Sequence, residues 1–356
     1  NYHTLRFPPL KTPENTPYVK QVFPNGLTVL LMEDNSLPLI NFHAMITTGA
    51  IYDPKDKRGL AEMSFELIRT GGAGQLSGDE IDETLEHIGA QISCGVNWDV
   101  GWIGGLSDTE NFNRVFSIFT DMLKNPSFEE DKIALSKIRK NSEILRRNDD
   151  IDEISARLFR KLLYGEDSPY ARTIEYETVK SICRQDMIEF HRRFVRPQNI
   201  ILGVWGDFKS NQMLEYLKES IGNWTVEESL PLLPLPEVSF PNPAPSINLA
   251  IKKDASQSVI IMGHMGLRRD DPDYFTALVI SRILGTGWHS RFSRNIRQQK
   301  GLAYSAWAGF WGEFGYPGPF YGYVQTQSER TFEAVELMQK EIRLILEGAT
   351  PEEISV

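Results

Sequence analysis

Two carboxylates, Glu62 and Glu66, stand four residues apart in the segment Arg58–Gly72, whose sequence is RGLAEMSFELIRTGG. This interval places two side chains on one face of a helix. Such a pair has some affinity for a metal ion, or it lies in solvent at the edge of a cleft. Like charges at this spacing cost a helix only about 0.2–0.5 kcal/mol, so both interpretations stay open.

The segment that carries these carboxylates has the apolar pattern of a buried helix. Its apolar residues form two rows, Leu60, Met63 and Leu67, and Ala61, Phe65 and Ile68. That spacing predicts a helix buried on most of its circumference. Thr70, Gly71 and Gly72 predict its end, because glycine takes the left-handed cap conformation at little cost.

This helix resembles the zinc helix of the pitrilysin/insulinase metallopeptidases, the inverzincins, in which Gly-Leu-Ala leads into H-x-x-E-H. Here Gly59–Ala61 supply that lead. The resemblance puts Glu62 and Glu66 at the two histidine positions and Phe65 at the position of the general base. It also implies a third ligand, a glutamate further along the chain, and Glu143 stands there.

The residues at these positions do not supply the chemistry of an active member. Two imidazoles at this spacing bind zinc together, and a carboxylate must take the proton of the zinc-bound water. Phe65 has no proton acceptor. We therefore predict no metal ligand and no cofactor in this chain, with zinc expected in a partner subunit. A self-sufficient peptidase built on Glu62, Glu66 and Glu143 is disfavoured by the missing base.

A second block, Arg297–Ser305 (RQQKGLAYS), follows Leu284–Phe292 (LGTGWHSRF). By residue type alone, Arg297 is a helix-end cation and Tyr304 a strand residue with a solvated hydroxyl. The resemblance implies more, because in the family this block belongs to a second domain copy whose arginine and tyrosine hold the substrate peptide. By that resemblance, Arg297 would donate to peptide carbonyls and Tyr304 to the oxyanion of the scissile carbonyl.

Two glycines of the preceding block, Gly285 and Gly287, are assigned to the same peptide-binding site. A phosphate loop is rejected there, because no Gly-Lys-Ser/Thr follows. Trp98, Trp102, Trp307 and Trp311 are further candidates for a peptide groove. Packing between sheet and helices is about twice as probable for these aromatic side chains.

The composition fits a globular chain of more than one domain. The 356 residues are 41% hydrophobic and 24% charged, and the net charge is −10, which argues against nucleic acid as a partner. No apolar run is long enough for a membrane span. The two cysteines, Cys94 and Cys183, have no metal-binding spacing, and we expect them to be buried free thiols.

The order of predicted elements indicates an α+β fold made of two copies of one domain. Strands and helices come in blocks, and the order repeats at an offset near 220 residues, as Phe112 and Phe332 show. We assign residues 1–228 to a first copy, the proline-rich residues 229–246 to a linker, and residues 247–356 to a second copy. Each copy is expected to have a mixed or antiparallel sheet with helices packed on it. The resemblance implies the fold of the mitochondrial processing peptidase.

Both ends of the sequence suggest a longer protein. The first residue is Asn1 rather than methionine, so an N-terminal piece is expected to have been removed. Thr350–Glu353 has the cap and first-turn acids of a helix, yet the sequence stops at Val356, so the second copy is expected to be incomplete.

The resemblance is to the two-chain bacterial and mitochondrial branch of the family, to the subunit without the zinc motif. It implies a non-catalytic subunit whose partners are a homologous zinc-bearing chain and a peptide or unfolded protein. The alternative is a peptide-binding or structural module of an envelope complex without proteolysis. The expected compartment is the periplasm or cell envelope, with the cytoplasm as the alternative.

Overall fold

Residues 16–226, here called the first half, form a six-stranded mixed sheet. The structure is a computed structural model that describes residues 16–226, 233–238 and 245–355. The strands are β1 (Val19–Val22), β2 (Thr28–Glu33), β3 (Leu39–Thr47), β4 (Gln91–Val96), β5 (Val100–Asp108) and β6 (Ile200–Gly206). They lie in the order β1-β2-β6-β3-β5-β4, and only the β2–β6 pair is parallel.

Eight α-helices lie in the described part of this half. They are α1 (Leu60–Thr70), α2 (Gly78–His87), α3 (Phe112–Lys124), α4 (Glu130–Arg146), α5 (Ile151–Tyr164), α6 (Tyr176–Ser181), α7 (Arg184–Phe194) and α8 (Ser210–Leu217). Alternate residues of β3 are buried, so one face of the sheet belongs to the core. The rings of Phe42, Phe116 and Phe119 meet there with centroids 4.8–5.6 Å apart.

Residues 245–355, here called the second half, form a smaller, antiparallel sheet. Its strands are β7 (Gln257–Met265), β8 (Ala303–Phe310) and β9 (Pro319–Gln327), in the order β7-β9-β8. Its helices are α9 (Tyr274–Leu284), a π-helix (Phe292–Gln299), α10 (Thr331–Leu344) and α11 (Pro351–Ser355). Leu284, Phe292, Val324 and Met338 are fully buried in a core of its own.

The α+β prediction is confirmed, with a mixed sheet and an antiparallel sheet that both carry helices. Strands β7, β8 and β9 repeat the chain order and the neighbours of β3, β4 and β5. The strands β3 and β7 begin 218 residues apart, at Leu39 and Gln257. The domain bounds stay a prediction, because most of the proposed linker, including Pro231, Pro241 and Pro243, lies outside the described residues.

The sequence predicts a strand over residues 247–251, and this prediction is wrong. Residues 247–251 have the apolar alternation of a strand, but Ile247, Leu249 and Ile251 are 90%, 81% and 84% exposed and belong to no sheet. In the first sheet β2 reaches β3 only through β6, which pairs with both. Among the described residues of the second half, no strand takes the place of β6 beside β7, so this segment has no neighbour with which to pair.

The two halves meet at a cluster of tyrosines. The ring of Tyr316, from the second half, lies 4.4 Å from that of Tyr170 and 6.4 Å from that of Tyr164. The hydroxyl of Tyr323 donates to Asp152 of α5. In the part of the chain that the structure describes, no helix has the length and apolarity to cross a bilayer.

Candidate functional site

The helix α1, on which the predicted zinc positions lie, is fixed at its start by a buried carboxylate. Asp53 accepts hydrogen bonds from the Arg58 guanidinium at 2.8 Å and from the amides of Gly59 at 2.8 Å and Ala61 at 2.9 Å. Burial raises the pKa of Asp53 to about 6, although the positive charge of Arg58 and the amide donors oppose the shift. Asp53 therefore caps α1 from outside the helix, a role that its sequence position did not predict.

The three carboxylates at the predicted zinc positions all face cations of α4. Glu62 accepts from Lys140 at 3.3 Å, and the same ammonium group donates to Glu143 at 2.9 Å. Glu66 accepts from Arg139 at 2.8 Å and from Ser136 at 2.7 Å. The structure thus brings these three residues together, but around protein cations.

This arrangement does not fit a zinc ion. The oxygens that would bind a metal are occupied by Lys140 and Arg139, and no three His, Cys, Asp or Glu side chains in the described ranges are placed to hold one. Burial would lower the pKa of Lys140, but Glu62 and Glu143 outweigh that effect and raise it. The ammonium therefore stays charged and paired at neutral pH.

The position of the general base points into the core. Phe65 is fully buried, and a Cβ atom added to Gly101 would lie only 2.2 Å from its ring. The Phe65 ring thus packs directly on the backbone of β5 at Gly101, and a residue larger than glycine would not fit at that position. An apolar side chain at this position cannot accept a proton. Phe65 therefore packs in the core at the position where an active member has its general base.

A cavity of about 960 Å³ opens beside α1. It is lined by residues of α1, α4 and α5, by Trp98 after β4, and by the loop that ends at Ile174. The Trp98 ring carries the guanidinium groups of Arg58 at 4.9 Å and Arg160 at 4.7 Å. The cavity is therefore a cleft over the degenerate zinc helix that is lined mostly by charged residues.

Tyr304 is the bulged residue of β8. Its neighbours Ala303 and Ser305 pair with the consecutive residues Thr326 and Gln325, so Tyr304 has no partner on β9. A bulge redirects the extra side chain, and Tyr304 is 80% exposed. The residue pattern alone predicts a strand over Ser305–Phe310, and no local signal in it indicates the bulge.

Arg297 lies in the last turn of the π-helix Phe292–Gln299. Its guanidinium stacks on the exposed ring of Trp288 at 4.8 Å. Among the residues that the structure describes, no carboxylate pairs with Arg297. The two blocks therefore expose Trp288 and Tyr304, with the partly exposed Arg297 over the Trp288 ring. The π-helix itself was not predicted, because no local residue pattern distinguishes it from an α-helix.

The two predicted glycines have different surroundings. Gly285 ends α9 against β8, and an added Cβ atom would lie 1.9 Å from the amide nitrogen of Ala308. Gly287 has open space where a side chain would be. Gly285 is thus required for packing, and the peptide-binding role of both glycines stays a prediction.

The four candidate tryptophans lie in three different surroundings. Trp307 and Trp311 contact each other and Tyr321, with ring centroids 4.4–5.0 Å apart. Trp102 stacks on His43 with ring centroids 5.6 Å apart, and Trp98 lines the cavity. Packing between side chains accounts for three of them.

The cysteines are free thiols, but only one is shielded from solvent. Cys94 is half-buried, and burial raises the pKa of its thiol to about 12. Cys183 is exposed at the N-terminus of α7, so the expectation of burial is wrong for this residue. It is the N-cap residue of α7, and its amide donates to the carboxylate of Asp186 at 2.8 Å.

Two models of one peptidase family match the chain. The model described as insulinase (peptidase family M16) matches residues 28–165, and the model described as the peptidase M16 inactive domain matches residues 181–355. The first match contains α1 and the second contains Arg297 and Tyr304.

Individual relatives are distant but cover most of the chain. Over 285 residues it is 22% identical to the uncharacterized zinc protease YmxG of Bacillus subtilis, covering 80% of this chain and 68% of that protein. Over 331 residues it is 22% identical to a Helicobacter pylori protein named non-peptidase homolog YmxG, covering 92% and 74%. The crystal structure of a peptidase M16 inactive domain from Pseudomonas fluorescens matches with a TM-score of 0.84 at 21% identity, over 95% of this chain and 81% of that one.

Proposed function

Because this chain belongs to the insulinase (M16) peptidase family and lacks the zinc-binding motif, we propose that it is the non-catalytic subunit of a two-chain zinc metalloendopeptidase. Its partner would be a homologous chain that carries an intact motif. This chain would contribute Arg297 and Tyr304 to the binding of a peptide or unfolded protein and to stabilisation of the transition state.

The observation that carries the proposal is the bulge at Tyr304. A strand residue that packs in its own sheet needs a cross-strand neighbour, and Tyr304 has none on β9. Its hydroxyl projects from the second half with 80% of the residue exposed. A phenol held in this way can donate to an oxyanion that is presented by another chain.

Two further residues of the same sequence blocks, Trp288 and Arg297, support a role at an interface. Trp288 is 69% exposed, and Arg297 stacks on it without a carboxylate partner in the described part of the chain. Tryptophan, tyrosine and arginine are the residue types that dominate binding energy at protein interfaces. A guanidinium with free N–H groups also suits the carbonyl oxygens of an extended peptide.

Reconstitution tests the proposal. The chain is mixed with a zinc-bearing homologue from the same organism, and cleavage of unfolded protein is measured for each chain alone and for the mixture. We expect cleavage, and a stable complex of the two chains on gel filtration, only in the mixture. A zinc-bearing homologue that is fully active alone and unaffected by this chain would contradict the proposal and favour the peptide-binding or structural alternative.

The compartment is part of the same proposal. We place the complex in the periplasm or cell envelope, as the resemblance to the two-chain bacterial branch suggests. Cell fractionation with an antibody to this chain tests the placement, and recovery with cytoplasmic markers would favour the alternative.

A further inference from the structure

The cavity over α1 carries an excess of positive charge, although the whole chain has a net charge of −10. Eight of its lining residues are arginine or lysine and five are aspartate or glutamate, a surplus of three positive charges. Three of the five acids, Glu62, Glu143 and Asp149, already form ion pairs with basic residues of the cavity. Of the other two, Asp150 caps α5 by accepting from the amide of Asp152 at 2.7 Å, and Glu153 raises the pKa of Arg157 by its charge, although burial outweighs that effect.

Three arginines of the cavity have no carboxylate partner among the described residues. Arg157 donates to the carbonyl of Arg147 at 3.3 Å and to the amide oxygen of Asn148 at 2.5 Å. Arg172 donates to the carbonyl of Asp167 at 2.8 Å. The guanidinium of Arg160 has the ring of Trp98 as its contact. None of the three guanidinium groups has a carboxylate at ion-pair distance in the described part of the chain, although Glu153 and Glu175 act on Arg157, and Asp167 on Arg172, from further away. Most of their N–H donors therefore remain available.

Trp98 concentrates this charge on one wall of the cavity. It holds Arg58 and Arg160 over its ring, so two guanidinium groups lie within 5 Å of one centroid. Arg58 is neutralised by Asp53, but Arg160 has no such partner. A guanidinium stacked on an indole is fixed in its plane, and its edge then presents paired donors that match the geometry of a carboxylate.

We propose that this cavity binds an acidic peptide segment, with Arg157, Arg160 and Arg172 holding its carboxylates. A volume of about 960 Å³ exceeds what one small anion needs and is at the upper end for a single bound ligand. Arg157 and Arg160 lie on α5, and Arg172 lies on the loop after it. Because the three charges are spread over the cavity, a peptide segment with several carboxylates can pair with all of them. The inference does not depend on the proposed partner subunit or on Arg297 and Tyr304.

The test uses the purified chain alone, without the zinc-bearing homologue. Fluorescence anisotropy measures the binding of a labelled nonapeptide with three glutamates and of the same peptide with three glutamines. We expect the acidic peptide to bind at least about 10-fold more tightly at near-physiological ionic strength, where remote surface charges are screened. Equal affinity for the two peptides would overturn the proposal.

Three variants locate the site. Arg160→Gln should weaken binding of the acidic peptide about 10-fold, and Arg160→Lys should weaken it less, because the charge stays while the planar fork is lost. Arg114→Gln removes an equal charge from an exposed position on α3, outside the cavity, and should leave affinity unchanged. Equal effects of Arg160→Gln and Arg114→Gln would show that the peptide binds elsewhere.

A competition arm separates a peptide site from a site for small anions. Inorganic phosphate is added at a concentration equal to the dissociation constant of the acidic peptide. It should displace little of the bound peptide, since one anion can pair with only some of the arginines. Complete displacement under that condition would overturn the assignment to peptides. Thermal unfolding of Arg160→Gln and Arg160→Lys verifies that both are folded, which the exposure of Arg160 favours.

Discussion

The ammonium group of Lys140 lies 3.3 Å from a carboxylate oxygen of Glu62, the residue at the first histidine position of the zinc motif. It also lies 2.9 Å from Glu143, at the position of the third ligand. A cation of the protein thus occupies the place at which a metal would neutralise these carboxylates. Histidines are absent from these positions, and the ion pairs with Lys140 occupy the carboxylates that remain.

The first prediction is that the purified chain holds no stoichiometric zinc and cleaves no peptide by itself. Binding of a metal would have to break the ion pairs of Glu62, Glu66 and Glu143 before any oxygen became available. Elemental analysis after gel filtration measures the zinc, and a peptide library measures cleavage. One tightly held zinc per chain, with activity that a chelator abolishes, would contradict this prediction.

The second prediction concerns Lys140 directly. Lys140→Met removes the charge but keeps much of the side-chain volume, and leaves Glu62 and Glu143 without a shared cation. We expect the free energy of unfolding to fall by about 1–2 kcal/mol, since the lysine is shielded while the carboxylates are partly exposed. Urea unfolding measures the change.

Lys137→Met is the matched control for Lys140→Met. Lys137 lies on the same helix, and within the described ranges it donates to the carbonyl of Lys180 alone, at 3.3 Å. We expect a change within about 0.5 kcal/mol for this variant. Equal losses for the two variants would mean that the ion pairs around Lys140 add nothing to stability.

The third prediction is a pH dependence that arises from His191. Its Nε2 donates to the carbonyl of Leu123 at 2.9 Å, and burial lowers the pKa of the imidazole to about 4. As pH falls below about 6.5, the unfolded chain takes up a proton at this residue before the folded chain does, so stability is lost between about pH 6.5 and 4. The loss is on the order of 3 kcal/mol for the full shift.

Urea unfolding at pH 7 and pH 4.5 measures this dependence. His191→Gln keeps a donor for the carbonyl and cannot titrate, so its stability should fall less between the two pH values than that of the wild type. His87→Gln changes an exposed histidine at the end of α2 and should leave the wild-type dependence intact. The same slope in all three proteins would remove His191 as the cause.

The fourth prediction concerns the junction of the two halves. Tyr316 is buried between Tyr164 and Tyr170, so Tyr316→Ala should lower the free energy of unfolding by about 3 kcal/mol. Limited proteolysis should then cut faster between residues 226 and 245 and leave a stable N-terminal fragment. Phe314→Ala, at a nearby residue that is 69% exposed, is the control. Cleavage spread evenly over both halves would contradict the proposed domain bounds.

Local patterns in the sequence predicted the elements that are stabilised by local contacts. The two apolar rows predicted α1, and Ser77 with Glu80 forms the capping box that starts α2. Residues 247–251 show the limit of such patterns, because a strand also needs a neighbour and the sequence does not show whether one is present. The alternation is real, but among the described residues nothing pairs with it.

The candidate site was predictable only in part. Position within the resemblance identified Glu62, Glu66 and Glu143, but Lys140 follows Glu62 by 78 residues and no local signal connects them. The cap by Asp53 and the bulge at Tyr304 depend in the same way on contacts between distant segments. These features set the chemistry of the site, and tertiary packing alone determines them.

The fifth prediction is that Arg297 and Tyr304 act on a substrate held by another chain. Tyr304→Phe removes one oxygen from a residue that is 80% exposed and pairs with no strand, so folding and assembly should be unaffected. If its hydroxyl donates to the oxyanion, kcat of the reconstituted complex should fall by about 10²–10³. Arg297→Ala should chiefly raise KM, because donors to peptide carbonyls act in the bound substrate as well as in the transition state.

Matched controls separate this role from a general loss of surface charge or hydroxyl. Tyr176→Phe changes another exposed tyrosine, on α6, and Arg114→Ala another exposed arginine, on α3. Both control complexes should cleave at the wild-type rate, and gel filtration should show that all four variants assemble equally well. If the Tyr304→Phe and Arg297→Ala complexes assemble and also cleave at the wild-type rate, these side chains have no part in catalysis, and the chain contributes only binding or structure.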